Sequence, residues 1–313
     1  MRILVIGAGS IGRRHAANLT ALGVAADLLP WRETSADDVA ARLAGGAYGG
    51  AVIATATDVR LPLVLACAGK GVPFYCEKPL AFRQQELDAI LVAAAPVAAR
   101  SMVGFMMRYH AAFRALAKSD LSGVFRLALA IGHDVTQWRA NWRFADSYAA
   151  RVEGGGVLLD LCHEIDMAAC LFPGLDLVSV ESLGHADHAG VDMASLITLR
   201  DGHRHGTVAM DYLCPRLVRH TRLEELHGIQ DFDYATGVYQ TIFALGAKVH
   251  DLPQDRNAMF MDAMRDFLAL ASGRAPSDNP HLPRLDRVAS TCRLIARAWE
   301  ARRFTGTIAK DLG

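Results

Sequence analysis

The sequence predicts an α/β protein: an N-terminal doubly wound parallel sheet, followed by an α+β part with a large, open, mainly antiparallel sheet. Two observations support this prediction. Short apolar segments alternate with helix-period segments over roughly the first hundred residues, and the later segments are longer, strand-like and punctuated by glycine. We therefore expect one domain at residues 1–120 and a second at residues 121–313.

Five strands are predicted in the first domain, with a helix after each of the first four. The short connections imply right-handed crossovers and a parallel sheet. Ser35 is a predicted N-cap, with Asp37 and Asp38 in the first turn of the helix that follows. The predicted strands are residues 2–6, 24–31, 50–57, 72–77 and 99–105, and the predicted helices are residues 11–22, a helix after Ser35, 61–70 and 83–95.

The second domain is predicted to contain one sheet. Asp201-Gly202 lies between two strand-like segments and predicts a hairpin turn. We expect an amphipathic helix at residues 257–272 and a closing helix at residues 285–302 to flank this sheet. The predicted strands are residues 124–135, 175–184, 193–202, 205–213 and 219–228.

The composition is that of a globular protein with a substantial core. Of the 313 residues, 52% are hydrophobic and 21% charged, and Lys+Arg and Asp+Glu both number 33. The formal net charge of zero gives no electrostatic reason to expect nucleic acid or an anionic membrane as a partner. The six cysteines form no CxxC pair, so buried thiols are expected rather than a zinc site or disulfides. Without a leader or a long apolar segment, the sequence predicts a cytoplasmic protein.

A glycine-rich turn, GAGSIG, connects the first predicted strand to the first helix. It contains Gly7, Gly9, Ser10, Ile11 and Gly12, a full GxGxxG pattern. Glycines at these positions allow a tight turn and a close approach of a pyrophosphate to the backbone, while the helix N-terminus supplies amide donors. In this strand–turn–helix context the pattern predicts a dinucleotide-binding site in a Rossmann domain.

The residues that would read the ribose lie at the end of the second strand. Arg32 suits a 2′-phosphate or stacking on adenine, whereas Glu33 would accept a hydrogen bond from a 2′-hydroxyl. The sequence leans towards NADP but leaves NAD open. Both side chains are also compatible with a solvated loop.

The ends of the third and fourth strands should face the same cofactor. Thr55 and Thr57 end the third strand, and Glu77, Lys78 and Pro79 end the fourth. Ligands bind at the carboxyl ends of the strands in such sheets, so Lys78 is predicted to lie where the nicotinamide does. The alternative is that the apolar stem of Lys78 lies along the protein surface and its ammonium group reaches water.

Four motifs occur in a fixed order: GAGSIG, EKP, VGFMMRYH and GGGVLLDLCHEID. In this combination the sequence resembles the Gfo/Idh/MocA family of oxidoreductases over nearly its whole length. Residues 138–166 look closest to a branch often associated with surface-sugar biosynthesis. The resemblance implies hydride transfer between nicotinamide and a hydroxyl or carbonyl carbon, commonly of a sugar or cyclitol. It also implies a homodimer or homotetramer formed through the open sheet of the second domain.

The resemblance also assigns site residues. The lysine of the EKP motif is Lys78, with a typically cis Lys-Pro bond, and the Asp and His of the second-domain motif fall on Asp160 and His163. The usual pattern places His four residues after Asp, a position held here by Glu164, so Glu164 remains an alternative to His163. Arg60 stands where many relatives have His, which leaves its role open.

The expected chemistry follows from these residue types. His163 is suited to take or give the hydroxyl proton, since the unperturbed pKa of histidine lies near neutrality. Asp160 would orient the imidazole or bind a sugar hydroxyl. Lys78 would hydrogen-bond the reacting oxygen and stabilise negative charge on it, and Glu77 would offset the lysine's charge. A histidine satisfied by backbone at a helix start is the alternative for His163.

Further substrate contacts are predicted at Arg108, Trp138, Arg139 and Tyr148, for which interdomain packing or surface charge is an equally good explanation. No metal site is expected, because His185, His188, Asp192, His203 and His205 lie in loop or hairpin segments where histidines are usually solvated. The glycine run 154–156 is interpreted as backbone that passes close to cofactor or substrate.

The function predicted from the sequence is therefore a nicotinamide-dependent oxidoreductase acting on a sugar or sugar derivative. Three alternatives remain open: an imine or other carbonyl reductase, a glycosidase that uses transient oxidation by a retained NAD, and a non-catalytic NAD(P)-binding sensor. The set of Lys78, Asp160 and His163 distinguishes the enzymes from the sensor, because a sensor has no need of it.

Overall fold

The structure is a computed structural model that describes residues 1–138 and 143–312. The chain forms two compact units. The first contains Met1–Tyr109 and Asp255–Ala296, and the second contains His110–Gln254 and Arg297–Gly313. This division differs from the predicted single boundary at residue 120. The chain returns to the first unit at Asp255 and then enters the second unit again at Arg297.

The first unit is built on a five-stranded parallel sheet with the strand order β2-β1-β3-β4-β5. Because the order reverses at β1 and β3, the carboxyl ends of these two strands flank the switch point at which such sheets bind ligands. The strands are β1 Arg2–Ile6, β2 Ala25–Leu29, β3 Gly50–Ile53, β4 Phe74–Cys76 and β5 Met102–Val103. The doubly wound parallel sheet is thus confirmed.

Helices connect these strands as predicted. Ser35 caps the second helix, and the side chain of Asp38 accepts a hydrogen bond from the backbone of Ser35, which completes a capping box. Strand β1 has its predicted bounds, and the other four predicted strands are present but shorter. The residues after the paired segments of β2 and β3 form 3-10 turns at Trp31–Glu33 and Thr57–Val59. The helices are α1 Ser10–Ala21, α2 Ala36–Ala44, α3 Arg60–Gly69 and α4 Gln84–Ala94.

The prediction that the helix near residues 257–272 flanks the second sheet was wrong. This helix, Arg256–Ala271, belongs to the first unit, where Phe267 packs its ring 6.1 Å from that of Tyr75 on β4. Phe267 also lies against Gly50 of β3, where an added Cβ would be 3.0 Å from its ring. The amphipathic pattern predicts a helix with one buried face, but it does not determine which sheet that face covers.

The second unit is built on a nine-stranded sheet with the strand order β13-β12-β11-β10-β6-β9-β8-β7-β14. Only the β6–β9 and β7–β14 pairs are parallel, so the sheet is mainly antiparallel as predicted. The strands are β6 Val124–Gly132, β7 Asp176–His185, β8 Ala194–Arg200, β9 His205–Asp211, β10 Val218–Glu225, β11 Ile229–Asp233, β12 Val238–Phe243, β13 Gly246–His250 and β14 Arg302–Ile308.

Four of these strands were not predicted: β11, β12, β13 and β14. They are short or form an edge of the sheet, and β13 has no buried residue to produce a hydrophobic alternation. The Asp201-Gly202 turn does connect the antiparallel strands β8 and β9. The remaining helices are α5 Ala111–Lys118, α6 Val157–Asp160, α7 His163–Leu171, α8 Arg256–Ala271 and α9 Ala289–Glu300.

A buried carboxylate, Asp192, connects the loop before α6 to the sheet. It accepts hydrogen bonds from the backbone of Leu158 at 2.9 Å and from the hydroxyl of Ser195 at 3.1 Å, and it forms an ion pair with Arg302 of β14. Gly156 enters α6 with a φ of +88°, and a Cβ there would overlap the Asp192 carboxylate. Packing against the protein itself therefore explains this glycine without a ligand.

In the part of the chain that the structure describes, no helix combines the length and the apolar character needed to cross a bilayer.

The Arg302–Asp192 pair should contribute strongly to stability. Arg302→Met leaves a fully buried carboxylate without its counter-charge, and we expect the free energy of unfolding to fall by about 3–5 kcal/mol in a denaturant titration. Arg303→Met is the matched control, because its ion pair with Glu181 is exposed and contributes about 1 kcal/mol or less. Equal losses in the two variants would contradict this assignment.

Candidate active site

The glycine-rich turn contains two glycines that the protein itself requires. Gly7 has a φ of +108°, and a Cβ there would lie 2.5 Å from the carbonyl oxygen of Ala54. A Cβ on Gly12 would overlap the carbonyl oxygen of Gly7. These two glycines let the end of β1, the start of α1 and the end of β3 approach one another closely.

Gly9 differs from Gly7 and Gly12, the other two glycines of the turn. It is exposed, its φ of −71° suits any residue, and a Cβ there would meet no protein atom within 4 Å. Protein packing therefore gives no reason for a glycine at the N-cap of α1. Close approach of a ligand to this backbone does give one.

The first turn of α1, which begins with Ser10 and Ile11, contains no acidic residue. Its amide groups and the partial positive charge of the helix N-terminus can therefore bind an anion. Together with the open space beside Gly9, this fits the pyrophosphate of a dinucleotide.

At the end of β3, Thr55 has a buried hydroxyl without a hydrogen-bond partner in the described residues. Such a group is costly to leave unsatisfied, so it is available to a ligand at the switch point of the sheet. Thr57 is buried and begins a 3-10 turn. The fold determines where the backbone of Thr57 lies. A contact of its hydroxyl with the cofactor stays a prediction.

Arg32 and Glu33 lie in the 3-10 turn that follows β2, near the expected ribose position. Both side chains are exposed and have no hydrogen-bond partner within the described ranges. They are therefore free of competing contacts and able to bind the adenosine half of a dinucleotide.

Glu77 directly follows β4 and is buried. It accepts a hydrogen bond from Nε2 of His15, 2.7 Å away on the dinucleotide-facing helix α1. Burial alone would raise the pKa of Glu77, but the hydrogen bond from His15 and the charges of His15, Lys78 and Arg60 together hold it below its usual value. Glu77 is thus an anion held in place inside the first unit, and its contact with the cofactor stays a prediction.

Lys78 follows Glu77 and is partly exposed, and the Lys78–Pro79 peptide bond is cis as the resemblance implies. It lies at the carboxyl edge of the parallel sheet, the same edge that carries the glycine turn and Thr55. The lysine is therefore outside the core, although the strand before it is fully buried.

Arg60, to which the sequence assigned no role, connects the ends of β3 and β4. Its guanidinium donates to the carbonyl oxygens of Thr55, Glu77 and Pro79. A buried arginine that serves only carbonyl groups cannot be recognised from sequence, because neither its burial nor its partners leave a local pattern.

In the second unit, Asp160 is held by two tyrosines. The hydroxyl of Tyr148 donates to Oδ1 at 2.5 Å, and the hydroxyl of Tyr212 donates to Oδ2 at 3.0 Å. Burial and the nearby carboxylates and hydroxyls raise the pKa of Tyr212 well above its usual value, so it stays a donor. Tyr212 was missed from the sequence, where it is one residue of the predicted strand 205–213 and has no motif of its own.

His163 begins α7, while Asp160 ends α6, so the two lie on either side of a break at residues 161–162 and not on one continuous helix. His163 is buried. Glu164 is only 1% exposed and accepts a hydrogen bond of 2.6 Å from Nε of Arg219 on β10. The carboxylate of Glu164 is thus committed to an ion pair with the sheet, which favours His163 over Glu164 as the proton carrier.

Trp138 contacts this cluster through its ring. The indole lies 5.5 Å from Tyr212 in an edge-to-face arrangement and stacks on His133 at 6.2 Å. The predicted substrate residues Trp138, Tyr148 and Asp160 are therefore brought together by Tyr212. Arg139 lies outside the described residues.

Arg108 has a different environment. It is buried in the first unit, with its guanidinium near the carbonyl oxygen of His281 at 3.3 Å and over the ring of Phe105 at 5.5 Å. These are packing contacts within the first unit, which differ from the interdomain packing and surface charge that the sequence left open. A substrate contact for Arg108 stays a prediction.

The histidines considered as metal ligands have other contacts. His185 hydrogen-bonds the backbone oxygen of Lys310 at 2.6 Å, and His188 packs edge-to-face on Phe144. Within residues 1–138 and 143–312, no group of three or more His, Cys, Asp or Glu side chains is arranged to hold a metal ion.

These features define a class: a protein with a Rossmann-type dinucleotide-binding unit and a second unit that combines a large sheet with an Asp–His motif on two short helices. No protein-family model matches the chain. Myo-inositol dehydrogenase Hyg17 of Streptomyces leeuwenhoekii is 31% identical over 203 residues, which are 59% of this chain and 60% of that protein. The chain thus spans less than two thirds of this relative's length.

Solved structures share the fold over nearly the whole chain. UDP-N-acetylglucosamine 3-dehydrogenase GnnA from Acidithiobacillus ferrooxidans aligns over 96% of both chains with a TM-score of 0.74 and 19% identity. Levoglucosan dehydrogenase in complex with NADH and L-sorbose aligns over 96% of both chains with a TM-score of 0.76 and 16% identity. KijD10, a 3-ketoreductase from Actinomadura kijaniata in complex with NADP, aligns over 99% of both with a TM-score of 0.77 and 15% identity.

These similarities confirm the resemblance of the chain to the Gfo/Idh/MocA family of oxidoreductases. The two-unit architecture of those structures is the one described above.

Gly9 provides a test of the dinucleotide site. Gly9→Ala adds a methyl group that meets no protein atom, so we expect the melting temperature to stay unchanged. The dissociation constant for the dinucleotide should rise about tenfold, equivalent to about 1.4 kcal/mol, because the methyl group occupies the space that the pyrophosphate needs. Fluorescence titration with NADH and NADPH measures this. Unchanged affinity for both would place the pyrophosphate elsewhere.

Proposed function

We propose that this protein is an NAD(P)-dependent oxidoreductase that transfers a hydride between nicotinamide and a CH–OH or carbonyl carbon of a sugar, cyclitol or related compound. The observation that carries the proposal is the position of Lys78, at the carboxyl edge of the parallel sheet and beside the strand whose end faces the glycine turn. The name of the relative, an inositol dehydrogenase, and those of the sugar dehydrogenases with this fold support the substrate class.

The proposed roles follow from the contacts of each residue. When bound, the nicotinamide supplies the hydride acceptor or donor. Lys78 donates a hydrogen bond to the reacting oxygen and stabilises negative charge on it, and His163 takes or gives the hydroxyl proton. Asp160, whose two oxygens are held by Tyr148 and Tyr212, keeps a fixed orientation and binds a hydroxyl group of the substrate.

A sensor that binds a dinucleotide without turnover is the proposal's main competitor. The pair of tyrosine hydroxyls on Asp160 argues against it, because a protein that only binds a dinucleotide does not require a carboxylate oriented in its second unit. An imine reductase or an NAD-dependent glycosidase would use the same residues on a different substrate.

For the cofactor we favour NADP over NAD. Arg32 is exposed and without a partner in the described part of the chain, so its guanidinium is available to a 2′-phosphate. The same titration of wild type with NADH and NADPH decides between the two.

Substitution of Lys78 and His163 tests the mechanism. We expect Lys78→Ala and His163→Ala each to lower kcat by about 10²-fold or more on a panel of sugars and cyclitols, with dinucleotide affinity little changed. Nicotinamide absorbance follows the turnover. Arg293→Ala, which removes an exposed ion pair with Asp88, is the control and should keep wild-type activity.

Two outcomes of this experiment would overturn the proposal. Turnover that survives both substitutions would exclude the proton-handling roles. Tight dinucleotide binding with no turnover of any sugar or cyclitol by the wild type would favour the sensor.

We also propose a cytoplasmic location and a homodimer or homotetramer that forms through the second sheet. Burial raises the pKa of the thiols of Cys67 and Cys76 to about 12 and about 11, which keeps them unreactive in a reducing compartment. On the sheet, Leu196 lies beside Ala209 and Ala209 beside Ala130 in neighbouring strands, while the residues that precede and follow Leu196 are buried. A row of small apolar side chains on a face turned away from the core suits a second copy of the chain.

Leu196, 45% exposed, provides the test of this interface. Leu196→Asp places a charge in the row, so we expect sedimentation velocity to show a shift towards monomer. Leu226→Asp is the matched control, since Leu226 is exposed in the turn between β10 and β11 and not in the row. A monomeric wild type, or equal behaviour of the two variants, would contradict the proposed interface.

A further inference from the structure

Arg60 occupies an unfavourable position for a cation. It is 3% exposed and is the first residue of α3, where the helix dipole places partial positive charge. The first turn of α3 contains no acidic residue that would offset this. A buried arginine at a helix N-terminus must therefore be compensated by other groups.

Three carbonyl oxygens provide that compensation. Nη1 donates to the backbone oxygen of Glu77 at 2.6 Å and also to that of Pro79, and Nη2 donates to that of Thr55 at 2.8 Å. The planar guanidinium presents several donors in a fixed arrangement, so one side chain can bridge three carbonyl groups. A lysine ammonium on its single stem lacks this geometry.

The three contacts surround Lys78. The carbonyl groups of Glu77 and Pro79 belong to the residues on either side of it, and the carbonyl group of Thr55 belongs to the end of the neighbouring strand β3. The backbone of Lys78 is therefore attached to β3 through Arg60. His15 holds the side chain of Glu77 from α1 and adds a second attachment to the same segment.

We propose that Arg60 is a positioning residue for Lys78: it holds the lysine's backbone at a set distance from the end of β3 and so aims the ammonium group at the reacting oxygen. This inference rests on the proposed role of Lys78. Arg60 makes no contact with substrate or dinucleotide in this scheme and acts only through the segment it holds.

The first test separates turnover from cofactor binding. Arg60→Met keeps the apolar stem and removes the guanidinium, so we expect kcat to fall about 10- to 100-fold through misplacement of Lys78. The dissociation constant for the dinucleotide should stay within about twofold, because Arg60 contacts neither the glycine turn nor the Thr55 hydroxyl, but only the backbone oxygen of Thr55. Unchanged kcat, or a loss of dinucleotide binding as large as the loss of turnover, would overturn the proposal.

Arg60→Lys keeps the positive charge and is a second variant in which kcat is measured. Because a lysine carries its three donors on a single nitrogen, it cannot reproduce the separate contacts of Nη1 and Nη2, and it should show the same loss of kcat as Arg60→Met. Full activity in Arg60→Lys would mean that only the charge at this position matters, which would also overturn the proposal.

The second test does not depend on activity. Trace labelling with acetic anhydride, in the absence of dinucleotide and substrate, measures the reactivity of each lysine by mass spectrometry. We expect Lys78 to label faster in Arg60→Met than in wild type, since its segment is released, while the exposed Lys70 serves as an unchanged internal reference. Equal labelling of Lys78 in the two proteins would overturn the positioning role.

The two tests keep this inference distinct from the proposed function. If Lys78→Ala retains turnover while Lys78 labels faster in Arg60→Met, the proposed catalytic role of Lys78 fails and the structural effect of Arg60 on its segment stands. If Lys78→Ala is inactive and Arg60→Met changes neither labelling nor kcat, the proposed function stands and the role of Arg60 is refuted.

Chemical rescue gives a further readout. Arg60→Ala leaves space for a free guanidinium ion beside the three carbonyl groups, and added guanidinium should restore part of its turnover. Lys78→Ala in the same solution controls for a general effect and should stay inactive. Restoration in both variants, or in neither, would contradict the proposal.

Discussion

The carboxyl ends of parallel strands meet at one edge of a sheet, and this constraint determines which residues of the first unit can act together. The ends of β1, β3 and β4 carry the glycine turn, Thr55 and Lys78, which are far apart in the chain but adjacent in the strand order. A place at this edge determines the position of each of these residues only approximately. Hydrogen bonds from buried side chains then hold each strand end in place, and most of these side chains come from helices.

Charges are buried in both units, and each has specific partners. In the first unit, Glu77 is held by His15, and Arg60 by three carbonyl groups. In the second, Asp192 is held by Arg302, Ser195 and a backbone amide. Such groups cost free energy to bury and gain it back only with good geometry. Glu77 and Arg60 hold the segment around Lys78, whereas Asp192 and Arg302 connect α6 to the second sheet and contribute to stability.

In the second unit, contacts with other elements hold the Asp–His segment in place. The Asp–His segment is not one helix but two short ones with a break between Asp160 and His163. Tyrosine hydroxyls hold the aspartate before the break, and the ion pair of Glu164 with Arg219 holds the helix after it. The orientation of the two functional side chains therefore depends on residues of the sheet and of the preceding loop.

Strand–helix alternation and glycine spacing are local patterns, so the sequence alone predicts the fold class, the five strands of the first sheet and the glycine-rich turn. The resemblance, and not these patterns, assigns Asp160 and His163, and the roles of both residues and of Lys78 stay predictions. The sequence did not reveal the contacts of Arg60 and Tyr212, the partner of Glu164, the four strands β11–β14, or the return of α8 to the first unit. Each of these depends on contacts between residues distant in the chain. Only the tertiary structure decides them, since a buried hydrogen bond or a shared helix face leaves no periodic signal in the sequence.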